Sequence, residues 1–354
     1  AFCTADSAAK RKSRSTLTFT ANMSKIAVLG AGSWGTALAI QLARSHHDVY
    51  LWGHLDTEVQ QIQDLRENRQ YLPGVQLPDN LQAFSDLAAC VADAEEVLVV
   101  VPSHAFAAVI EKLKPLIGKN TALSWASKGL SPTNNALLSE VCTQILGSEH
   151  SLAVISGPTF AMEVARGLPT AIVIASEQEA HAERLASYLQ HGAFRPYTSN
   201  DVIGVQVGGA AKNIMAIAAG ISDGLGYGAN SRAALISRGL AEISRFGLAL
   251  GGQPETFMGL AGLGDLVLTC TDDQSRNRRL GLALADGKTI EQAKQEIGQE
   301  VEGIGTAREI YLKAREIGVE MPITDQAYRV LYENLPPEKA VQSLLSRQVK
   351  AENQ

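Results

Sequence analysis

Cysteine is scarce in this 354-residue chain, and Cys3, Cys90, Cys142 and Cys270 lie far apart with no C-x-x-C pair among them. That scarcity excludes a disulfide framework or a zinc ribbon and fits unpaired thiols in a reducing cytoplasm. Positive charge is not in excess either: 31 Lys and Arg face 37 Asp and Glu, a net charge of -6. No field draws in polyanions, so nucleic acid is not an expected partner, and any site for a phosphorylated ligand must be built locally from a few placed cations. No run approaches 18 continuous apolar residues, so no membrane span is expected. Motifs of metal chemistry are missing as well: there is no H-E-x-x-H and no spaced Cys/His set. His46 and His47 are adjacent and cannot share a helix face as ligands, so no metal is expected. Gly287-Lys288-Thr289 resembles the end of a Walker A loop, but Leu282 stands where its first glycine belongs and an apolar helical run replaces the strand.

What is present begins at Lys25-Ile26-Ala27-Val28-Leu29. This short apolar run enters a G-x-G-x-x-G turn at Gly30, Gly32 and Gly35, and an Ala/Leu-rich helical run leaves it. Strand, turn and helix together form the context of a dinucleotide fingerprint. Gly30 permits the tight turn, Gly32 lets backbone approach a pyrophosphate, and Gly35 lets the helix sit close on the strand, so phosphate oxygens meet N–H groups at the positive helix end. The second strand, Asp48 to Trp52, ends at Gly53-His54 where an NAD-specific site usually places an acid. NAD and NADP are therefore both allowed, NADPH slightly favoured, and His54 either faces the adenosine ribose or its 2′-phosphate or is a surface-loop histidine without a role.

Further short strands follow at Glu96–Val101, Ala122–Ala126, Leu152–Ile155 and Ala171–Ala175, the middle ones separated by helical stretches at Phe106–Leu116 and Asn134–Leu146, and Arg195–Thr198 closes the region. Alternation of this kind predicts a Rossmann-type, doubly wound and mainly parallel sheet over 23–198. Ligands then bind outside the carboxyl strand ends, where Ser103, Lys128 and Thr159 would converge. From 199 to 354 strand signals nearly vanish, and an all-helical second domain is expected, with a buried helix over Asp201–Gly220. Residues 1–22, rich in Ser, Thr, Ala and the basic Lys10, Arg11, Lys12 and Arg14, read as a disordered extension, an organellar address being the weaker option.

Lys212 rises from the apolar face made by Gly208, Gly209, Met215 and Ala216. Burial lowers a lysine's pKa and makes it usable as a proton donor or acceptor near neutrality; the competing reading is a stem that snorkels to water. Asp265 is the one acid in Gly259-Leu260-Ala261-Gly262-Leu263-Gly264-Asp265-Leu266, and a buried carboxylate needs a partner: Lys212, a substrate hydroxyl, or a helix N-terminus that it caps. In Ser275-Arg276-Asn277-Arg278, ahead of an apolar helical run, arginine offers a donor fork matched to phosphate, with Ser and Asn as neutral donors.

Taken in order, Gly30-Ala31-Gly32-Ser33-Trp34-Gly35-Thr36-Ala37, Val101-Pro102-Ser103-His104, Ser127-Lys128-Gly129-Leu130, Ser156-Gly157-Pro158-Thr159-Phe160-Ala161, Gly209-Ala210-Ala211-Lys212-Asn213, Gly262-Leu263-Gly264-Asp265-Leu266 and Ser275-Arg276-Asn277-Arg278 resemble the bacterial-type NAD(P)-dependent sn-glycerol-3-phosphate dehydrogenases. The likeness runs from about Met23 to Arg347. It implies a cytoplasmic homodimer that interconverts dihydroxyacetone phosphate and sn-glycerol 3-phosphate, mainly in the reductive direction that supplies phospholipid backbone. It further implies cofactor contacts at Ser33, Trp34, His54, Lys128, Ala161, Arg276, Glu300 and Glu302. Substrate contacts are implied at Lys128, Gly157, Thr159, Asp265, Ser275, Arg276 and Asn277, with Lys212 as proton acceptor oriented by Asp265 and Lys128. Glu300 departs from the family, which often has Val there, and so does the extension before Met23. Two alternatives stay open: another two-domain dehydrogenase of the 6-phosphogluconate or β-hydroxyacid type, and a non-catalytic NAD(P)-sensing module, which would not need Lys212, Asp265 and Arg276 together.

Overall fold

The computed structural model describes residues 24–347, so the expected extension over 1–22 lies outside the described residues. Eight strands form one sheet: β1 (Lys25–Leu29), β2 (Asp48–Trp52), β3 (Leu81–Phe84), β4 (Glu96–Val99), β5 (Ala122–Trp125), β6 (Leu152–Ser156), β7 (Thr170–Ala175) and β8 (Phe194–Ser199). Its order is β3-β2-β1-β4-β5-β6-β7-β8, with every neighbouring pair parallel except β6 and β7. Strand alternation splits the core in two: Ile26 and Val28 face one layer of buried side chains, Ala27 and Leu29 the other. Because the chain jumps from edge strand β3 back to β4 beside β1, the strand order reverses at the end of β1, and a crevice opens there.

Seven helices flank the sheet: α1 (Ser33–Arg44), α2 (Asp56–Leu65), α3 (Leu87–Val91), α4 (Ser103–Leu113), α5 (Leu138–Leu146), α6 (Ala161–Ala165) and α7 (Glu179–Leu189). β3 carries little strand signal, since only Leu81 and Ala83 of its four residues are buried. The helical half follows with α8 (Val202–Gly224), α9 (Ala229–Ala249), α10 (Pro254–Met258), a single π turn at Leu260–Gly264, and α11 (Asp265–Thr271). It continues through α12 (Arg276–Ala285), α13 (Ile290–Ile297), α14 (Gly303–Glu316), α15 (Pro322–Tyr332) and α16 (Pro337–Leu345).

α8 is the axis of this half. It is long and apolar enough to cross a bilayer by composition, yet 89% of that window is buried inside the protein, as in a core helix. A third buried cluster forms around it. α12 packs on α8 backbone to backbone, for a Cβ on Gly220 would lie 2.1 Å from the Arg278 carbonyl oxygen, and one on Gly281 2.1 Å from that of Ile217. This contact brings the start of α12 beside the middle of α8, where Lys212 stands.

Candidate active site

The turn after β1 is fixed from both sides. The Gly30 N–H donates to the Trp52 carbonyl at 2.9 Å, and the Val100 N–H donates to the Leu29 carbonyl at 2.7 Å. Each fingerprint glycine has its own reason. Gly30 has a φ of +125°, and a Cβ there would lie 2.4 Å from the Val100 oxygen; on Gly35 it would lie 1.9 Å from the Gly30 oxygen. A Cβ on Gly32 would meet nothing within 4 Å, because this position faces the open cleft. Gly32 caps α1 without a side-chain hydrogen bond, and no acid occupies the first turn, so the helix presents backbone donors to an incoming anion. Asn68, buried beneath the turn, donates to the Ala31 carbonyl and to Thr36 Oγ1, both at 2.8 Å. Together with Trp34, whose sealed Nε1 has no partner among the described residues, this cradle fits a dinucleotide.

The opposite wall is made of side chains. Lys212, on α8, donates from Nζ to Asp265 Oδ1 and, at 2.9 Å, to Thr269 Oγ1. Lys128 Nζ donates to Asp265 Oδ2 at 2.7 Å and to the Gly157 carbonyl at 3.4 Å. Asp265 is fully buried and held between two cations, which resolves the alternatives above: it is the first residue of α11 and does not cap it. The π turn re-aims the chain just before it, and Thr269 follows one helical turn later on the same face. Burial draws the Lys212 ammonium down from its ordinary value to about 8, Asp265 acting against that and Lys128 with it. Two of its three N–H donors are engaged within the described residues, and Lys212 reaches the cleft.

The two walls enclose a cleft of about 840 Å³. Gly30, Gly32, Ser33, Trp34, Gly35, His54, Lys128, Thr159, Ala161, Lys212, Ser275, Arg276, Asn277, Glu300 and Glu302 all line it. Gly157 and Asp265 lie behind the wall, under the lysines they hold. Ser103, expected in the crevice, is not on the wall: it is buried against Gly129, whose Cβ would sit 2.7 Å from its hydroxyl. The arginines divide by helix face. Arg278 is consumed by Asp223 and by Asp273 at 2.8 Å, whereas Arg276 reaches the cleft with no ion pair among the described residues. Ser275 caps α12, its Oγ accepting from the Arg278 N–H at 3.2 Å.

Asn277, paired with Arg276 in the sequence reading as a phosphate ligand, acts largely as a strut. Its Nδ2 donates to Asn213 Oδ1 and its Oδ1 accepts from the Gly303 N–H, both at 3.0 Å. Burial pushes the Glu302 carboxyl up against the pull of Arg276, Lys128 and Lys212. Thr269, Asn68 and Glu58 escaped the sequence reading. For Thr269 the signal was its spacing of four from Asp265; Glu58, on α2, lines the cleft a few residues after the end of β2.

A backbone cradle at a parallel-sheet switch point, facing a buried lysine–aspartate–lysine cluster that joins the sheet half to a helical half, defines a two-domain NAD(P)-dependent oxidoreductase. Family models of NAD-dependent glycerol-3-phosphate dehydrogenase match both halves, the N-terminus over residues 25–182 and the C-terminus over 201–342. The chain belongs to the NAD-dependent glycerol-3-phosphate dehydrogenase family. It is 54% identical over 330 residues to glycerol-3-phosphate dehydrogenase [NAD(P)+] of Pseudoalteromonas translucida, covering 93% of this chain and 98% of that one. The crystal structure of glycerol-3-phosphate dehydrogenase from Coxiella burnetii superposes with a TM-score of 0.90 at 49% identity, covering 92% and 99% of the two chains. The yeast enzyme matches at a TM-score of 0.79 with 27% identity, over 92% of this chain and 100% of that one. The non-catalytic reading and the 6-phosphogluconate or β-hydroxyacid reading thus give way to this family.

Proposed function

We propose that Lys212 is the proton donor and Arg276 the phosphate anchor as this chain interconverts dihydroxyacetone phosphate and sn-glycerol 3-phosphate, acting as an NAD(P)-dependent oxidoreductase. A nicotinamide cofactor held at the fingerprint turn would supply the hydride chemistry at the substrate carbonyl carbon. As negative charge develops on the carbonyl oxygen, the Lys212 ammonium delivers a proton to it, and in reverse the neutral amine accepts the hydroxyl proton. Asp265 holds Lys212 in place and offsets its charge, while Lys128 holds the other carboxylate oxygen of Asp265 and adds positive potential. Arg276 grips the phosphate, so binding energy remote from the reaction positions the reacting carbon.

The observation that carries this reading is the buried Lys212–Asp265–Lys128 cluster, which opens onto the same cleft as the fingerprint turn. A cytoplasmic homodimer that supplies glycerophospholipid backbone belongs to the same proposal and rests on the family. The test is oxidation of NADH and of NADPH with dihydroxyacetone phosphate beside a panel of small ketones. A strong rate with dihydroxyacetone phosphate alone is expected; an equal rate with a phosphate-free hydroxyketone overturns the role of Arg276.

A further inference from the structure

Lys128 sits in a loop, 127–130, that belongs to neither a strand nor a helix, so its placement depends on what holds that loop. One end is tied within the sheet half by Ser127 Oγ, which donates to the Val101 carbonyl at 2.5 Å. The other end is bridged to Leu137 within the sheet half and is held from the helical half as well. The Leu130 N–H donates to Glu309 Oε2 at 3.3 Å across the boundary between the halves, and Glu309 is 5% exposed. Thr306, one turn earlier on α14, lies against the same loop: a Cβ on Gly129 would come 3.4 Å from its hydroxyl. At its start α14 touches the other side of the site, where Gly303 N–H holds Asn277 and Asn277 holds Asn213, the neighbour of Lys212.

We propose that Glu309 is a positioning residue for the reaction: by accepting the Leu130 N–H, its carboxylate holds the 127–130 loop so that Lys128 reaches Asp265 and Asp265 stays aligned on Lys212. It touches neither lysine and acts through the loop. A charged acceptor does this better than a neutral one, since hydrogen bonds to ionised groups are shorter and stronger. Burial pushes the Glu309 carboxyl up to about 7, with the Leu130 N–H and Arg308 drawing it back and Glu302 adding to the rise. From α15, Tyr332 is the titratable group near it, its hydroxyl donating to the Ile304 carbonyl at 2.9 Å. Protonation as pH falls through that value weakens the grip on the loop, so reduction declines on the acid side.

This inference rests on the roles given to Lys128 and Lys212, and the experiment separates the two. Turnover, KM and thermal midpoint are measured from acid to alkaline pH for wild type, Glu309→Ala, Glu309→Gln and Lys212→Ala. Glu309→Ala should lose roughly tenfold in kcat, the scale of a small misplacement of a reacting group, with KM for NAD(P)H unchanged. Glu309→Gln, which keeps an acceptor and loses the charge, should hold kcat near the reduced level that the wild type reaches on the acid side, above that of Glu309→Ala, and lose the acid-side decline of the wild type. Glu309 variants with wild-type kcat and pH profile beside an inactive Lys212→Ala overturn the role of Glu309 alone. An active Lys212→Ala overturns the reading beneath it. An unaltered acid limb in Glu309→Gln, with both Glu309 variants losing kcat only in step with their thermal midpoints, reduces Glu309 to a structural contact and also sinks the proposal.

Discussion

The two walls of the cleft are built on opposite plans. The sheet wall is backbone: the binding groups are N–H donors on consecutive residues, and its special positions are those where a side chain cannot or need not stand. The opposite wall is side chain: Lys212, Asp265 and Arg276 from the helical half and Lys128 from the loop after β5 come from four separate stretches and meet only in the folded chain. Holding a cofactor's phosphates needs fixed dipoles and no titration, whereas moving a proton needs a group whose pKa the surroundings can tune. A substitution on the first wall should change binding or folding, and one on the second should change turnover or its pH dependence.

Lys212→Ala should show the largest effect, lowering turnover by roughly 10²-fold or more with little change in cofactor affinity, as expected for loss of a general acid. Near-normal turnover would remove Lys212 from the chemistry and collapse the contrast between the walls. The sign of the pH dependence follows from the same group. Reduction needs the ammonium, which gives way to the amine as pH rises through about 8, so reduction falls across that range and oxidation of glycerol 3-phosphate rises.

Gly30→Ala comes next and should act on folding alone. It places a methyl 2.4 Å from the Val100 oxygen at a φ of +125°. Overpacking and positive-φ strain each cost about 1–3 kcal/mol. A thermal midpoint within a degree or two of wild type would show that the turn yields more than its contacts imply. Arg276→Ala, on the other wall, should, if Arg276 is the phosphate anchor proposed above, lose a charge-assisted contact of about 1.5–3 kcal/mol, a rise of roughly 10- to 150-fold in KM for dihydroxyacetone phosphate. An unchanged KM would move the phosphate site, and Arg279, whose sealed Nε has no partner among the described residues, would be next to test.

The same contrast explains what could be read from sequence. The turn from β1 to α1 was legible because strand, glycines and helix are contiguous, and the buried α8 because it is apolar nearly all round. Lys212 and Asp265 were legible singly, as charges in apolar settings; their contact was one of several options until the fold closed them together. β3, with two inward residues, and α11, hidden behind a glycine-rich π turn, fell below local signal. Ser103 was misplaced because a strand-end position does not say which way a helix start turns its first side chain. Glu309 could not be read at all: its partner is 179 residues away and is a backbone N–H, which carries no sequence identity.

The smallest predicted effect separates binding from folding within a single motif. Gly32 has ordinary extended backbone, with φ of -75° and ψ of -177°, and a Cβ there meets nothing within 4 Å. Alanine therefore introduces no strain into the protein itself. It loses a few tenths to about 1 kcal/mol as a poorer helix N-cap and regains about 0.4–1 kcal/mol from a stiffer unfolded chain, so the two nearly cancel. What the methyl occupies is the path by which a pyrophosphate reaches the α1 donors. Gly32→Ala should leave the thermal midpoint within a degree or two of wild type and raise KM for NAD(P)H about tenfold, some 1.4 kcal/mol of lost approach, with kcat at saturation nearly intact. If KM for the cofactor does not move, the pyrophosphate does not lie over Gly32. A falling kcat would mean that this turn reaches into the chemistry, and that the two walls are not separable in function.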